Sequence, residues 1–131
     1  MSNTTEIRRC TSCGAMVEVI VPCTCTGCCG FSCCGKEMQV LKENTSDGAT
    51  EKHVPVVEID GDKVTVKIGE VTHPMLPEHH IEWIILETKK GFQIKYLEAG
   101  DAPEATFVVA DDEPVAAYEY CNLHGLWKKE I

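Results

Sequence analysis

The chain has 131 residues, nine of them cysteine, and a formal net charge of −9 from 12 basic and 21 acidic side chains. That length holds one ordinary domain, or one domain and a small module, and 44% hydrophobic with 25% charged residues argues against wholesale disorder. The acidic balance argues against a dedicated nucleic-acid binder, which would show a basic face, and no apolar run approaches the roughly 20 residues of a membrane span.

The first ten residues, MSNTTEIRRC, are polar and lack the apolar core of a secretory signal. A reducing, cytoplasmic setting is therefore expected, where cysteines serve metals or redox chemistry more often than structural disulfides. An odd cysteine count also rules out a complete set of intrachain disulfides. Eight cysteines fall between Cys10 and Cys34. Cys10-Thr11-Ser12-Cys13 is a C-x2-C knuckle, a strong half-site for tetrahedral sulfur ligation. Two adjacent pairs, Cys28-Cys29 and Cys33-Cys34, could complete it, and Cys23 and Cys25 lie nearby. Residues 1–38 carry three basic and three acidic side chains, against nine and eighteen in residues 39–131. Two composition regimes predict two modules, 1–38 and 39–131, with the seam in the polar stretch 42–50.

Beyond the seam the pattern is all-β. Residues 54–59, 63–68, 81–88, 92–98, 105–110 and 115–121 are short and rich in Val, Ile, Tyr, Phe or Trp. Turn signals separate them, among them Asp60-Gly61-Asp62 and Lys89-Lys90-Gly91. In residues 63–68 the alternation is clean, with Val64, Val66 and Ile68 on one face and Lys63, Thr65 and Lys67 on the other. No long amphipathic helix is predicted. Short strands at this spacing favour an antiparallel sandwich or barrel.

All five histidines, His53, His73, His79, His80 and His124, lie in the second module at predicted strand ends or in loops, and Cys121 stands three residues before His124. Thiolate with imidazole suits iron, zinc or copper far better than magnesium or calcium. The segments EKHVPVVE (51–58), HPM (73–75), HHIEWI (79–84) and CNLHGLW (121–127) resemble the catalytic-domain motifs of superoxide reductases of the desulfoferrodoxin and neelaredoxin family, and DAPEA (101–105) fits the same pattern. Upstream, CTSCGAMVEVI (10–20) and CCGKEMQVLKENT (33–45) resemble the desulforedoxin-type module that desulfoferrodoxins carry.

The resemblance implies an immunoglobulin-like antiparallel β-sandwich preceded by a small cysteine-rich metal module. It implies reduction of superoxide to hydrogen peroxide, a defence against oxidative stress, at a non-haem iron held by His53, His73, His79 and His124 with Cys121 axial. Lys52 is then expected to steer superoxide and position a protonating water, and Glu51 to close the sixth position after oxidation. His80, pointing away from its neighbour in an extended segment, is expected to face solvent or to hydrogen-bond. Trp83, Trp127 and Met75 are expected to pack. A rubredoxin-like electron donor and a homodimer follow from the same resemblance.

For the first module, an FeS4 site through Cys10, Cys13, Cys33 and Cys34 is the first expectation. The span from Cys13 to Cys33 is longer than usual for desulforedoxin, and Cys28-Cys29 is the alternative pair. An iron–sulfur cluster and a zinc or disulfide-stapled knot stay open beside it. For the whole chain, a non-catalytic iron-binding electron-transfer module blocked by Glu51 is the alternative function. A zinc-stabilised interaction domain is a third, disfavoured because structural zinc takes four ligands at compact spacings.

Overall fold

The structure, a computed structural model, describes residues 5–24, 30–45, 48 and 50–131. The chain divides into two compact units, Met1–Lys42 and Glu43–Ile131.

The first unit is built from very short strands: β1 (Ile7–Arg9), β2 (Met16–Glu18), β3 (Ser32–Cys33), β4 (Lys36–Glu37) and β5 (Gln39–Val40). β1 lies between β2 and β5, and β3 pairs with β4, all antiparallel. Cys34 and Gly35 form the two-residue β3–β4 turn with φ of 56° and 74°. Consecutive left-handed residues match the right-handed strand twist of a tight hairpin. Buried apolar side chains here are few, chiefly Ile7, Cys10 and Met38. So small a core needs a chemical staple.

The second unit opens with one helical turn, α1 (Thr50–His53), followed by β6 (Pro55–Asp60), β7 (Lys63–Ile68), β8 (Ile81–Thr88), β9 (Gly91–Tyr96), β10 (Glu104–Val108), β11 (Pro114–Cys121) and β12 (Gly125–Glu130). One sheet runs β10-β7-β6, the other β12-β11-β8-β9, and every pairing is antiparallel. Their inner faces meet in an immunoglobulin-like sandwich. Val64, Val66, Ile68, Ala105 and Phe107 of one sheet pack with Ile81, Ile84, Leu86 and Ala117 of the other. Each large apolar side chain so buried contributes about 1.5–3 kcal/mol. The outward residues of β7 follow the predicted alternation, with Thr65 hydrogen-bonded to Thr106 and Lys67 paired with Glu58.

β7 and β8 have the predicted limits, and β6, β9, β10 and β11 differ from theirs by one or two residues at an end. β12 has no predicted counterpart, because its Lys128-Lys129-Glu130 run reads as a solvated tail. An edge strand tolerates such charges, and they discourage pairing with other chains. Glu119 in β11 also departs from the apolar pattern. It is fully buried between Ile84 and Trp127 in register, with both carboxylate oxygens unpartnered among the described residues. Burial pushes its carboxyl up to about 9, so it is protonated at neutral pH.

At one end of the sandwich the start of β6 meets the end of β7, and the end of β11 meets the starts of β8 and β12. α1 is tied to this end by backbone bonds from Gly69 N–H to Val54 O (3.2 Å) and from Val71 N–H to Glu51 O (3.0 Å). Gly69 has φ +82°, and a Cβ there would lie 2.6 Å from both Lys52 O and Val71 O. Only glycine meets both demands. Gly69→Ala is expected to lower the unfolding free energy by at least the roughly 1–2 kcal/mol of left-handed strain. A urea midpoint equal to that of the parent chain would show that this lock does not matter.

Candidate metal centres

His53 ends α1, His73 and His79 lie in the β7–β8 connection, Cys121 ends β11, and His124 sits in the turn before β12. The structure brings these five side chains together. Successive ring centroids in the order His53, His73, His79, His124 and back lie 4.7, 4.8, 5.0 and 4.7 Å apart, at interplanar angles of 78°, 80°, 74° and 85°. Across the ring, His53 and His79 face each other at 6.4 Å and 27°. This is a four-bladed propeller of imidazoles around a common centre.

The nitrogens point inward. His53 Nε2 lies 3.2 Å from His73 Nε2 and 3.0 Å from His124 Nδ1. Adjacent corners at that spacing put the centre of a square about 2.1–2.3 Å from each nitrogen, close to a metal–imidazole bond. His79 Nε2 is buried and has no hydrogen-bond partner among the described residues. Cys121 Sγ lies 3.9 Å from His124 Nδ1, and the ligand atoms of His53, His79, Cys121 and His124 all fall within 4.8 Å of one another. His73 joins through its contact with His53. An inward set of four imidazoles and one thiol fits a soft or borderline transition metal.

The surroundings fix which lone pair His73 offers. Pro74 O, 2.7 Å from His73 Nδ1, can only accept, so Nδ1 carries the proton and Nε2 is free to ligate. Burial holds His73 down to about 4, the Pro74 bond opposing, and burial followed by the His124 charge lowers His79. Both rings are neutral at ordinary pH, as ligation requires. Burial pushes the Cys121 thiol up, while the backbone N–H groups of His124 and Leu123 pull it down. A bound cation supplies the charge that turns such a thiol into thiolate.

Around this set, Trp127 stacks on His53 (4.9 Å, 25°) and donates from Nε1 to His124 O at 3.0 Å. Trp83 stacks on Tyr120 at 5.8 Å, and Met75 packs against the core, its sulfur accepting from Ile81 N–H. His80 stays outside the propeller and donates from Nδ1 to Leu76 O at 3.0 Å. Lys52 and Glu51 are exposed on α1 beside His53. The Lys52 charge is among those that lower His79, after burial and His124. Glu51 lines an open groove of about 520 Å³ with Glu70 and Lys129, and no carboxylate joins the histidine–cysteine set among the described residues. Asn122, between two of the inward-pointing residues, was not singled out by any sequence motif; its side chain bonds the loop carrying His79.

In the first unit, the sulfurs of Cys10, Cys13, Cys33 and Cys34 lie within 4.8 Å of one another. Cys13 and Cys33 are 3.6 Å apart, and Cys33 and Cys34 3.9 Å. A tetrahedron with metal–sulfur bonds of about 2.3 Å has edges near these lengths. Backbone N–H groups of Cys13 and Ser12 bring Cys10 down to about 6. Hydrogen bonding with Cys13, then with Cys10, pushes Cys33 up to about 12, and hydrogen bonding to Cys13 raises Cys34. Thiols this close ionise together only with a cation among them. Cys23 is disulfide-bonded, whereas the alternative pair Cys28-Cys29, with Cys25, lies outside the described residues.

The desulfoferrodoxin family model matches residues 45–130. Desulfoferrodoxin of Nitratidesulfovibrio vulgaris is 48% identical over 130 residues, 99% of each chain. The superoxide reductase from Treponema pallidum superposes with a TM-score of 0.81 at 37% identity, over 98% of this chain and 100% of that one. The superoxide reductase (1Fe-SOR) from Giardia intestinalis matches 62% of this chain and 97% of its own at 33% identity, with a TM-score of 0.54.

Because folding lowers His73 from 6.5 to about 4, the native state favours the neutral ring. That contribution is present above 6.5 and is lost as pH falls toward 4. Metal-free protein is therefore expected to lose stability across that interval, with a shallower slope in His73→Gln. Identical slopes in urea titrations at several pH values would take His73 out of the acid response.

Proposed function

The chain belongs to the desulfoferrodoxin family, and from that premise we propose that it reduces superoxide to hydrogen peroxide at a non-haem iron held by His53, His73, His79, His124 and Cys121. The observation that carries this reading is the imidazole propeller with one buried thiol at its side. Iron, when bound, supplies the single electron, and the net reaction takes one electron and two protons per superoxide.

The protein's side chains set the terms of that reaction. Four neutral nitrogen ligands and one thiolate leave a position for an anion and hold the site at low net charge. The Cys121 thiolate would push electron density toward a bound iron, and membership of the family implies that at a non-haem centre this push serves release of peroxide with the O–O bond intact. Trp127 on His53 and the buried His73 exclude water from the propeller's flank. Superoxide is an anion approaching a chain of charge −9, so a local positive focus is needed. Lys52 supplies it: it is exposed, adjoins His53, and its charge is felt at His79. We assign it the steering role and the positioning of a protonating water. Glu51 lines the neighbouring groove, and no carboxylate joins the histidine–cysteine set among the described residues, so the blocked electron carrier is the weaker reading.

Cys10, Cys13, Cys33 and Cys34 are proposed to hold a second iron as FeS4, consistent with their sulfur spacings. All four lie within residues 1–38 and all the catalytic ligands within 39–131, which supports a metal module followed by a reductase domain. A rubredoxin-like donor, a homodimer and a cytoplasmic setting complete the proposal, all three by resemblance to the family. No helix of the described residues is long and apolar enough to cross a membrane.

Mixed anaerobically with a superoxide source, the reduced protein is expected to yield peroxide without dioxygen; dioxygen beside peroxide would mean dismutation, and no reaction would mean a passive carrier. Lys52→Ile should slow superoxide capture roughly tenfold at low salt and flatten its ionic-strength dependence with iron still bound. An unchanged second-order rate would remove Lys52 from the mechanism. Cys121→Ser should abolish the sulfur-to-iron charge-transfer absorption of the oxidised centre, and persistence of that band would overturn the assignment of Cys121 as a ligand.

A further inference from the structure

We propose that Asn122 is a positioning residue for the catalytic centre, whose carboxamide brackets His79 and holds it in register with Cys121 and His124. Its Oδ1 accepts the N–H of His80 at 2.9 Å, and its Nδ2 donates to Glu78 O at 3.0 Å. The residues on both sides of His79 are thus held by one side chain. The Asn122 backbone N–H adds a third bond, to His80 O at 3.2 Å.

The loop so held is a rigid piece. His79 N–H donates to Leu76 O at 3.0 Å, Leu76 N–H donates to His79 O at 2.9 Å, and His80 Nδ1 closes onto the same Leu76 carbonyl. Both peptide groups of His79 are therefore used within the loop, and Asn122 docks the loop as a unit against the end of β11. The docking point matters because β11 shifts register between Tyr120 and Cys121, where it pairs with β8. Ladder hydrogen bonds alone do not carry the alignment of His79 across that irregularity.

His73 and His79 are positioned in different ways. The His73 ring is anchored directly by Pro74 O, whereas the His79 ring directs a buried, unpartnered Nε2 at the centre. The direction of that nitrogen is set by its main chain, and so by Asn122. An amide is the side chain for this task, since it donates on one side and accepts on the other. A carboxylate would keep the contact with His80 N–H but set an oxygen against Glu78 O. Partners that orient a ligand are typically worth about 10–100-fold in metal affinity.

The proposal rests on the reductase reading for the identity of the metal alone, and its test does not use activity. Full-length protein carrying Asn122→Ala or Asn122→Asp is titrated with ferrous ion against a competing chelator. Its oxidised charge-transfer band is recorded, and the urea midpoint of the metal-free form is measured alongside. The expected result is ferrous-ion affinity at least about tenfold weaker in Asn122→Ala, with a displaced band, and a smaller loss in Asn122→Asp. If Asn122→Ala does not fold, Asn122→Asp, which keeps shape and one bond, decides by the same two readings. Unchanged affinity and band in a folded variant overturn the proposal, including where only the urea midpoint has fallen, which would mark a structural role. Absence of peroxide formation in the parent chain would sink the reductase reading and leave this result standing.

Discussion

Four imidazole nitrogens and a thiol sulfur directed at one point are mutually unfavourable until a cation occupies it. Once all four rings turn lone pairs inward, as ligation requires, nitrogens about 3 Å apart repel, and a buried thiol resists ionisation. The second unit is organised to hold this unfavourable arrangement in place. Backbone bonds fasten α1 to the β7–β8 connection, Pro74 fixes the His73 tautomer, and Trp127 presses on His53 while gripping the His124 carbonyl. Each contact restrains one blade of the propeller, and the sandwich core supplies the stiffness behind them all.

Charge is handled on two scales. The chain as a whole repels anions, whereas a metal held by the ligand set would place positive charge at one end of the sandwich, with Lys52 beside it. Neutral histidines suit this division, because they let the metal's charge remain undiluted apart from one thiolate. The first unit does the opposite. Its four sulfurs would surround a cation with negative charge, a setting suited to passing electrons and unsuited to attracting superoxide.

The strands with strict alternation or a continuous apolar run, β7 and β8, were legible in the sequence with their limits. So was the grouping of His53, His73, His79, His124 and Cys121, because these residues stand in recognisable motifs. β12 was hidden by charges that an edge position permits. The two- and three-residue strands of the first unit are too short to show any period. Glu119 was hidden for a different reason: Tyr118, Glu119 and Tyr120 are buried in succession, so polarity no longer reports direction along this strand. Hydrogen bonds such as those from Asn122 join residues over 40 positions apart, and no local pattern announces them. A carboxamide set between two ligands in CNLH was the one available signal.

The distance along the chain between ligands has a consequence for how the protein is made. His53 and His124 meet across 71 positions, so the propeller exists only once β6 to β12 have closed into the sandwich. Cys13 and Cys33 are 20 positions apart, and the loop to be closed is correspondingly short. The sulfur site can therefore assemble early, as the chain leaves the ribosome, and the histidine site only once β12 has emerged as well. Metal in the first unit reports local order. Metal in the propeller certifies that the whole reductase domain has folded.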